Sequence, residues 1–403
     1  MSPPTVDSSA KVYFPGLHAL RFFAALAVVI GHVELLKKYH GYPNIADNPA
    51  VYELGRIAVT FFFVLSGFLI TFLLLQEKRE TGGVSIRRFY VRRILRIWPL
   101  YYLTVFLAFV VLPRLRSFDI PSLSFAAGDP RGAPMALFLM LLPQVALSIY
   151  PPVPYAEPLW SIGVEEQFYL LWPLFVFRVR NVLWVAVPVV VAGIVIKQGA
   201  LAFATTLHDK DQLRFWNHFI DYFYFNRFEC MAVGAVGAWL IFERRKSILR
   251  FLFSAPVQVL VYVLSAYAIL TTRGKPLLSY LPHSVLFCII IMNIAANQRS
   301  FLRLESNAFI LLGNISYAMY LLHEIAIGGV MYAQTTLAGH DIRGIGENLL
   351  LYAASVAVTI GVATLAYKLF ELPFLRLKKR YAIVASGPNI SPAGNVSTTV
   401  TAH

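Results

Sequence analysis

An all-α membrane protein of about ten transmembrane helices is the fold class this sequence predicts, on three observations. Hydrophobic residues make up 58% of the 403 positions and charged residues only 14%, with a mean hydropathy of +0.64. Such a composition suits a polytopic membrane protein and not a soluble globule. Apolar runs near the length needed to cross a bilayer, about 20 residues, recur along the chain. Basic residues cluster between those runs, so the net charge of +14 orients helices in a membrane and gives no reason to expect a nucleic-acid partner.

In chain order, a polar segment (1–13) precedes the first run, and spans are expected at 15–36, 57–76, 96–113, 161–178, 181–198, 222–242, 252–271, 279–296, 308–332 and 347–370. Shorter members are accommodated by tilt or bilayer thinning. The piece 134–149 lies between prolines and reads as re-entrant or surface-lying. This division puts 21 of the 35 lysines and arginines on the side that carries both termini and 13 on the other. The bias predicts cytoplasmic termini and a multi-pass protein of the cell (inner or plasma) membrane. Residues 381–403 are small, polar and aperiodic, which predicts a disordered tail after a membrane domain spanning 14–380. Cys230 and Cys288 supply neither a disulfide framework nor metal-ligand spacing, and no metal is expected.

The first span, GLHALRFFAALAVVIGHVELL, carries Arg21 and His32 eleven residues apart. Eleven steps at about 100° make three turns plus about 20°, so both side chains leave one face, separated by about 16 Å along the axis. Ionisable groups inside a span are costly and mark functional sites. An imidazole accepts a hydroxyl proton near neutral pH, which suits His32 to general-base work.

Other polar groups fall in or beside the spans. The loop into the third span, RRFYVRRILRIWPLYYL, gathers arginines; Arg93 and Arg96, spaced i,i+3, suit a phosphate grip because planar guanidiniums bind phosphate bidentately. The fourth span begins LWSIGVEEQFYLLWP, and its adjacent carboxylates diverge by about 100°, so one should point inward. Glu166, followed at i+3 and i+4 by Tyr169 and Leu170, is assigned that role; a buried carboxylate needs a partner, and His32, which it would orient, Arg227 and His323 all lie at plausible depth. Ser66 and Gly67 in the second span, and Gly234 and Gly237 in the sixth, read as close-packing residues. Arg227 and Glu229 enter the sixth span, and His323 lies within the ninth. Glu371, before Pro373 and a basic cluster, reads as a helix-end anchor and ion-pair site.

These stretches, in order, resemble the acyltransferase 3 family of polytopic membrane acyltransferases. The resemblance rests on Arg21 and His32 (Arg-x10-His), FFFVLSGFLIT, Arg93 and Arg96 before Trp-Pro, and LWSIGVEEQFYLLWP. It continues with the Arg-Phe-Glu of Arg227 and Glu229, LGNISYAMYLLH, and Glu371 in Glu-x-Pro-Phe. It implies a ten-helix acyltransferase core that moves an acyl group, commonly acetyl, from cytoplasmic acyl-CoA to a hydroxyl of a carbohydrate, glycolipid or macrolide-type acceptor. The chain ends soon after the last span, so the fused hydrolase-like domain of some family members is not expected. On this reading His32, Arg21 and Glu166 form the catalytic group. Arg93, Arg96 and Arg21 hold the donor, and Arg227, Glu229 and His323 contact the acceptor. The competing class is a proton-coupled transporter or flippase, in which Arg21, His32, Glu166 and His323 line a solute path. That class would be favoured by a repeated hydropathy pattern in the two halves, and no convincing repeat is present.

Overall fold

The computed structural model describes residues 12–123, 132–271, 280–339 and 342–384. Most of the expected N-terminal segment and C-terminal tail therefore lie outside the described residues. The described chain is helical, without a strand ladder. Its helices are α1 (Leu17–Tyr39), α2 (Pro49–Thr81), α3 (Ile86–Phe106), α4 (Gly132–Leu139), α5 (Pro143–Ile149), α6 (Leu159–Arg178), α7 (Leu183–Ala204) and α8 (Lys210–Phe225). They continue with α9 (Phe228–Phe242), α10 (Lys246–Leu252), α11 (Ala255–Thr271), α12 (Tyr280–Ala296), α13 (Asn307–Tyr332), α14 (Ile345–Ala366) and α15 (Leu372–Lys379).

The expected spans fall on these helices, the sixth of them divided between α8 and α9. Among the described residues seven helical segments are long and apolar enough to cross a membrane, or eight if α10 and α11, which meet at a 58° bend, count as one. The expected count of ten included α6, which carries two carboxylates, and α12, which has only 17 residues. The 134–149 piece forms α4 and α5, of eight and seven residues, with Leu141 between them at φ 61°. Neither is long enough to cross a bilayer.

Three boundaries differ from expectation in ways that shape the interior. α2 starts at Pro49, where Asn48 Oδ1 accepts from Ala50 N at 3.0 Å, and runs 33 residues to Gly82, which ends it at φ 75°. α3 starts at Ile86, ten residues before the expected span, so Arg92, Arg93 and Arg96 are helical and not in a loop. The sixth expected span breaks at Asn226 and Arg227 between α8 and α9.

α2 runs through the interior, packed against α1, α6, α9, α11 and α12, while α13 lies between α1 and α14. The α2–α9 crossing depends on two glycines. A Cβ on Gly67 would strike the Met231 carbonyl, and one on Gly234 would strike the Val64 carbonyl. Backbones this close need small residues, which in lipid replace the hydrophobic drive for helix association. Gly313 plays the same part where α13 meets His18 of α1. Large apolar side chains such as Trp184, Leu270 and Leu369 project outward, as lipid-facing surface requires.

Candidate active site

Two cavities share one wall. A cavity of about 300 Å³ is lined by His32, Tyr39, Arg56, Glu157, Trp160 and Tyr320 among others. A second, of about 130 Å³, is lined by Arg21, Ser66, Arg93, Arg96, Glu165, Tyr169, Tyr317 and Tyr320. Tyr320 borders both, held by its hydroxyl to Pro158 O at 3.0 Å and to Ser161 Oγ at 2.8 Å. Arg21 and His32 therefore open from one helix face into adjoining cavities, as their eleven-residue spacing predicts.

At the His32 cavity, α1 meets α13. His32 Nδ1 lies 2.9 Å from Val28 O, and His323 Nδ1 lies 2.8 Å from Tyr320 O. A carbonyl oxygen only accepts, so each Nδ1 carries the proton and each Nε2 is left with its lone pair. His32 Nε2 lies 3.7 Å from Glu324 Oε1, and the two imidazole rings meet edge to face at 4.6 Å between centroids. His323 Nε2 and Glu324 Oε1 are buried without hydrogen-bond partners. Three proton acceptors thus converge, an arrangement stabilised by a proton or another cation between them. One ligand atom from each of His32, His323 and Glu324 lies within 4.8 Å of the others. Two histidines and a carboxylate are a donor set that Zn²⁺ accepts, though a tetrahedral ion about 2.1 Å from each would need them about 3.4 Å apart.

At the Arg21 cavity the fourth-span assignment is corrected. Glu165 lines the cavity with Arg21, Arg93 and Arg96, its Oε1 accepting from Ser66 Oγ at 2.6 Å, whereas Glu166, although its charge also reaches Arg93, is not among the described residues lining that cavity. Glu166 accepts from Trp98 Nε1 at 2.8 Å on α3 and does not orient His32, whose carboxylate neighbour is Glu324. The periodicity carried this signal. Ser161, Glu165 and Tyr169 repeat at four-residue intervals and line one cavity, whereas Leu170, four beyond Glu166, is 58% exposed. Ser66 also differs from its expected packing role, which Gly67 performs alone. Arg96 pairs with Glu371 at 3.7 Å, the ion pair expected of that helix end. Glu371 reaches it from a widened turn at Tyr367–Glu371.

Arg227 and Glu229 are engaged elsewhere. Arg227 is fully buried, donates to Arg56 O at 3.0 Å and Thr60 Oγ1 at 2.8 Å, and stacks on Tyr280 at 3.6 Å. Glu229 pairs with Lys197 of α7 in the core. Neither is among the described residues lining the two cavities; Arg227 ties α9 to α2, and Glu229 ties α9 to α7.

The acyltransferase-domain family model Acyl_transf_3 matches residues 14–368. The chain belongs to the acyltransferase 3 family. It is similar to the peptidoglycan O-acetyltransferase OatA of Listeria monocytogenes, at 29% identity over 48% of this chain and 28% of that protein. It is also similar to a Bacillus subtilis protein, YrhL, provisionally named a peptidoglycan O-acetyltransferase, at 37% identity over 40% of this chain and 24% of that one. A provisionally named O-acetyltransferase of Staphylococcus aureus (strain COL) matches at 23% identity over 90% of this chain and 57% of its own length. The chain thus spans little more than half the length of the staphylococcal relative. No solved structure matches it.

Proposed function

We propose that this acyltransferase 3 family member is an integral-membrane O-acyltransferase. It takes an acyl group, acetyl in the first instance, from acyl-CoA on the cytoplasmic side and places it on a carbohydrate hydroxyl on the other. The single observation that carries the reading is the pair of cavities meeting at Tyr320, one rich in guanidinium groups and the other presenting an unprotonated imidazole nitrogen. Guanidiniums at Arg93 and Arg96 suit the donor phosphates, with Arg21 deeper along the same cavity. The thioester then approaches Tyr320 and His32.

His32 Nε2 takes the proton of the acceptor hydroxyl as its oxygen bonds to the thioester carbonyl carbon. The carbon–sulfur bond breaks, and the thiolate leaves with the proton that His32 Nε2 took up. Base catalysis of this kind contributes about 10²–10⁴ in rate. Glu324, 3.7 Å from His32 Nε2, stabilises the imidazolium that forms. The names of the relatives support an acceptor in the cell-wall glycan.

The test is transfer of labelled acetyl from acetyl-CoA to soluble peptidoglycan glycan fragments by the full chain in vesicles, read by mass spectrometry. Labelled ester on the glycan that disappears with His32→Ala is expected. Undiminished transfer by His32→Ala would overturn the assignment of the base.

A further inference from the structure

A third cleft lies beside the Arg21 cavity and shares Arg93 with it. Its volume is about 50 Å³, and its polar lining is Glu77, Arg92, Arg93 and Lys378, with Leu74, Phe89 and Val384 among the apolar walls. That volume accommodates a few waters, enough for one phosphate group.

The cleft forms where α15 and the residues after it lie along α3. Two contacts fix that placement: Arg96 with Glu371 at 3.7 Å, and Arg92 Nη1 donating to Tyr381 O at 3.0 Å. Arg92 is also neutralised by Glu77, at 3.0 Å, whose other oxygen accepts from Ser85 N. Lys378 is different. Among the described residues it makes no ion pair and no hydrogen bond, though it sits against the cluster of Arg92 and Arg93. An ammonium held beside guanidiniums with no carboxylate of its own is repelled by its surroundings, and an anion that joins it relieves that repulsion. Arg92, Arg93 and Lys378 against Glu77 leave the cleft with an excess of positive charge.

We propose that this cleft is the subsite for a phosphomonoester, the 3′-phosphate of the coenzyme A donor, with Lys378 as its principal ligand. The proposal rests on the donor reading above and extends it: Arg93 stands between the two cavities, so a donor whose thioester arm occupies the Arg21 cavity carries its ribose phosphate to the Lys378 cleft. It also gives α15 a task beyond anchoring the last helix.

The test is isothermal titration of the full chain in phosphatidylcholine nanodiscs with coenzyme A and with 3′-dephospho-coenzyme A. The wild-type protein is expected to bind coenzyme A about tenfold more tightly, the scale of one charge-assisted hydrogen-bonded contact. Lys378→Met is expected to bring the two affinities together, and Lys378→Arg to keep them apart. Equal affinities in the wild-type protein, or an undiminished difference in Lys378→Met, would overturn the subsite. Binding of neither compound would overturn the donor reading itself, which separates the two failures. A lipid phosphate in the cleft would show as Lys378-dependent stabilisation by phosphatidic acid with equal affinity for the two coenzymes, and would also overturn the proposal.

Discussion

His32 of α1 and Glu324 of α13 face each other at 3.7 Å, although 292 residues separate them in the chain. Glu324 therefore occupies the place beside the imidazole that the fourth span's carboxylate was expected to fill. Glu324→Gln keeps the shape and removes the charge, so kcat should fall about 10–100-fold while KM for the acyl donor stays within about twofold. Steady-state transfer assays on the purified variant check this, and an unchanged kcat would remove Glu324 from the mechanism.

Glu165 and Glu166 provide an internal control, being adjacent and chemically identical. Glu165→Gln takes the only carboxylate among the described residues lining the cavity of Arg21, Arg93 and Arg96 and should lower transfer at least about tenfold. Glu166→Gln retains a hydrogen-bond acceptor for Trp98 and should stay within about threefold of the wild-type rate. The reverse ranking would restore Glu166 to the site.

Lys197 and Glu229 should behave as a structural pair. Lys197→Met leaves a buried carboxylate unpaired and is expected to cost about 3–5 kcal/mol. The double variant Lys197→Met with Glu229→Gln should recover most of that loss. Thermal unfolding in detergent reads both, and full stability of Lys197→Met would argue that Glu229 has another partner.

Gly67 and Gly234 are predicted to be intolerant of any side chain. Gly67→Ala drives its methyl into the Met231 carbonyl, a backbone atom that cannot turn aside, and should destabilise by about 1–3 kcal/mol. Gly82→Ala should cost less through packing, since nothing lies within 4 Å of its added Cβ, although its φ of 75° brings strain of about 1 kcal/mol. Comparing Tm for the two separates close approach from backbone strain.

Much of the site was legible because helical periodicity is local. Arg21 and His32 fall on one face by arithmetic, Arg93 and Arg96 fall on adjoining faces, and the structure places all but His32 around one cavity with His32 in the next. The choice between Glu165 and Glu166 was open to the same arithmetic, but it needed Ser161 and Tyr169 to be weighed together against Leu170. Lys378 carried no comparable signal. In the sequence it is one of several cations in a basic cluster after Pro373, and only the packing of α15 along α3 distinguishes it.

Composition and run length determined by themselves that the chain is a multi-pass helical protein and, apart from several boundaries and the break in the sixth span, where its helices lie. These depend on hydrogen bonds within each segment and on the cost of polar groups in lipid. Which carboxylate meets which cation was decided only by the tertiary structure. Partners such as His32 and Glu324 come from different helices, and their meeting depends on how α1 and α13 pack at Gly313, a contact no single helix encodes.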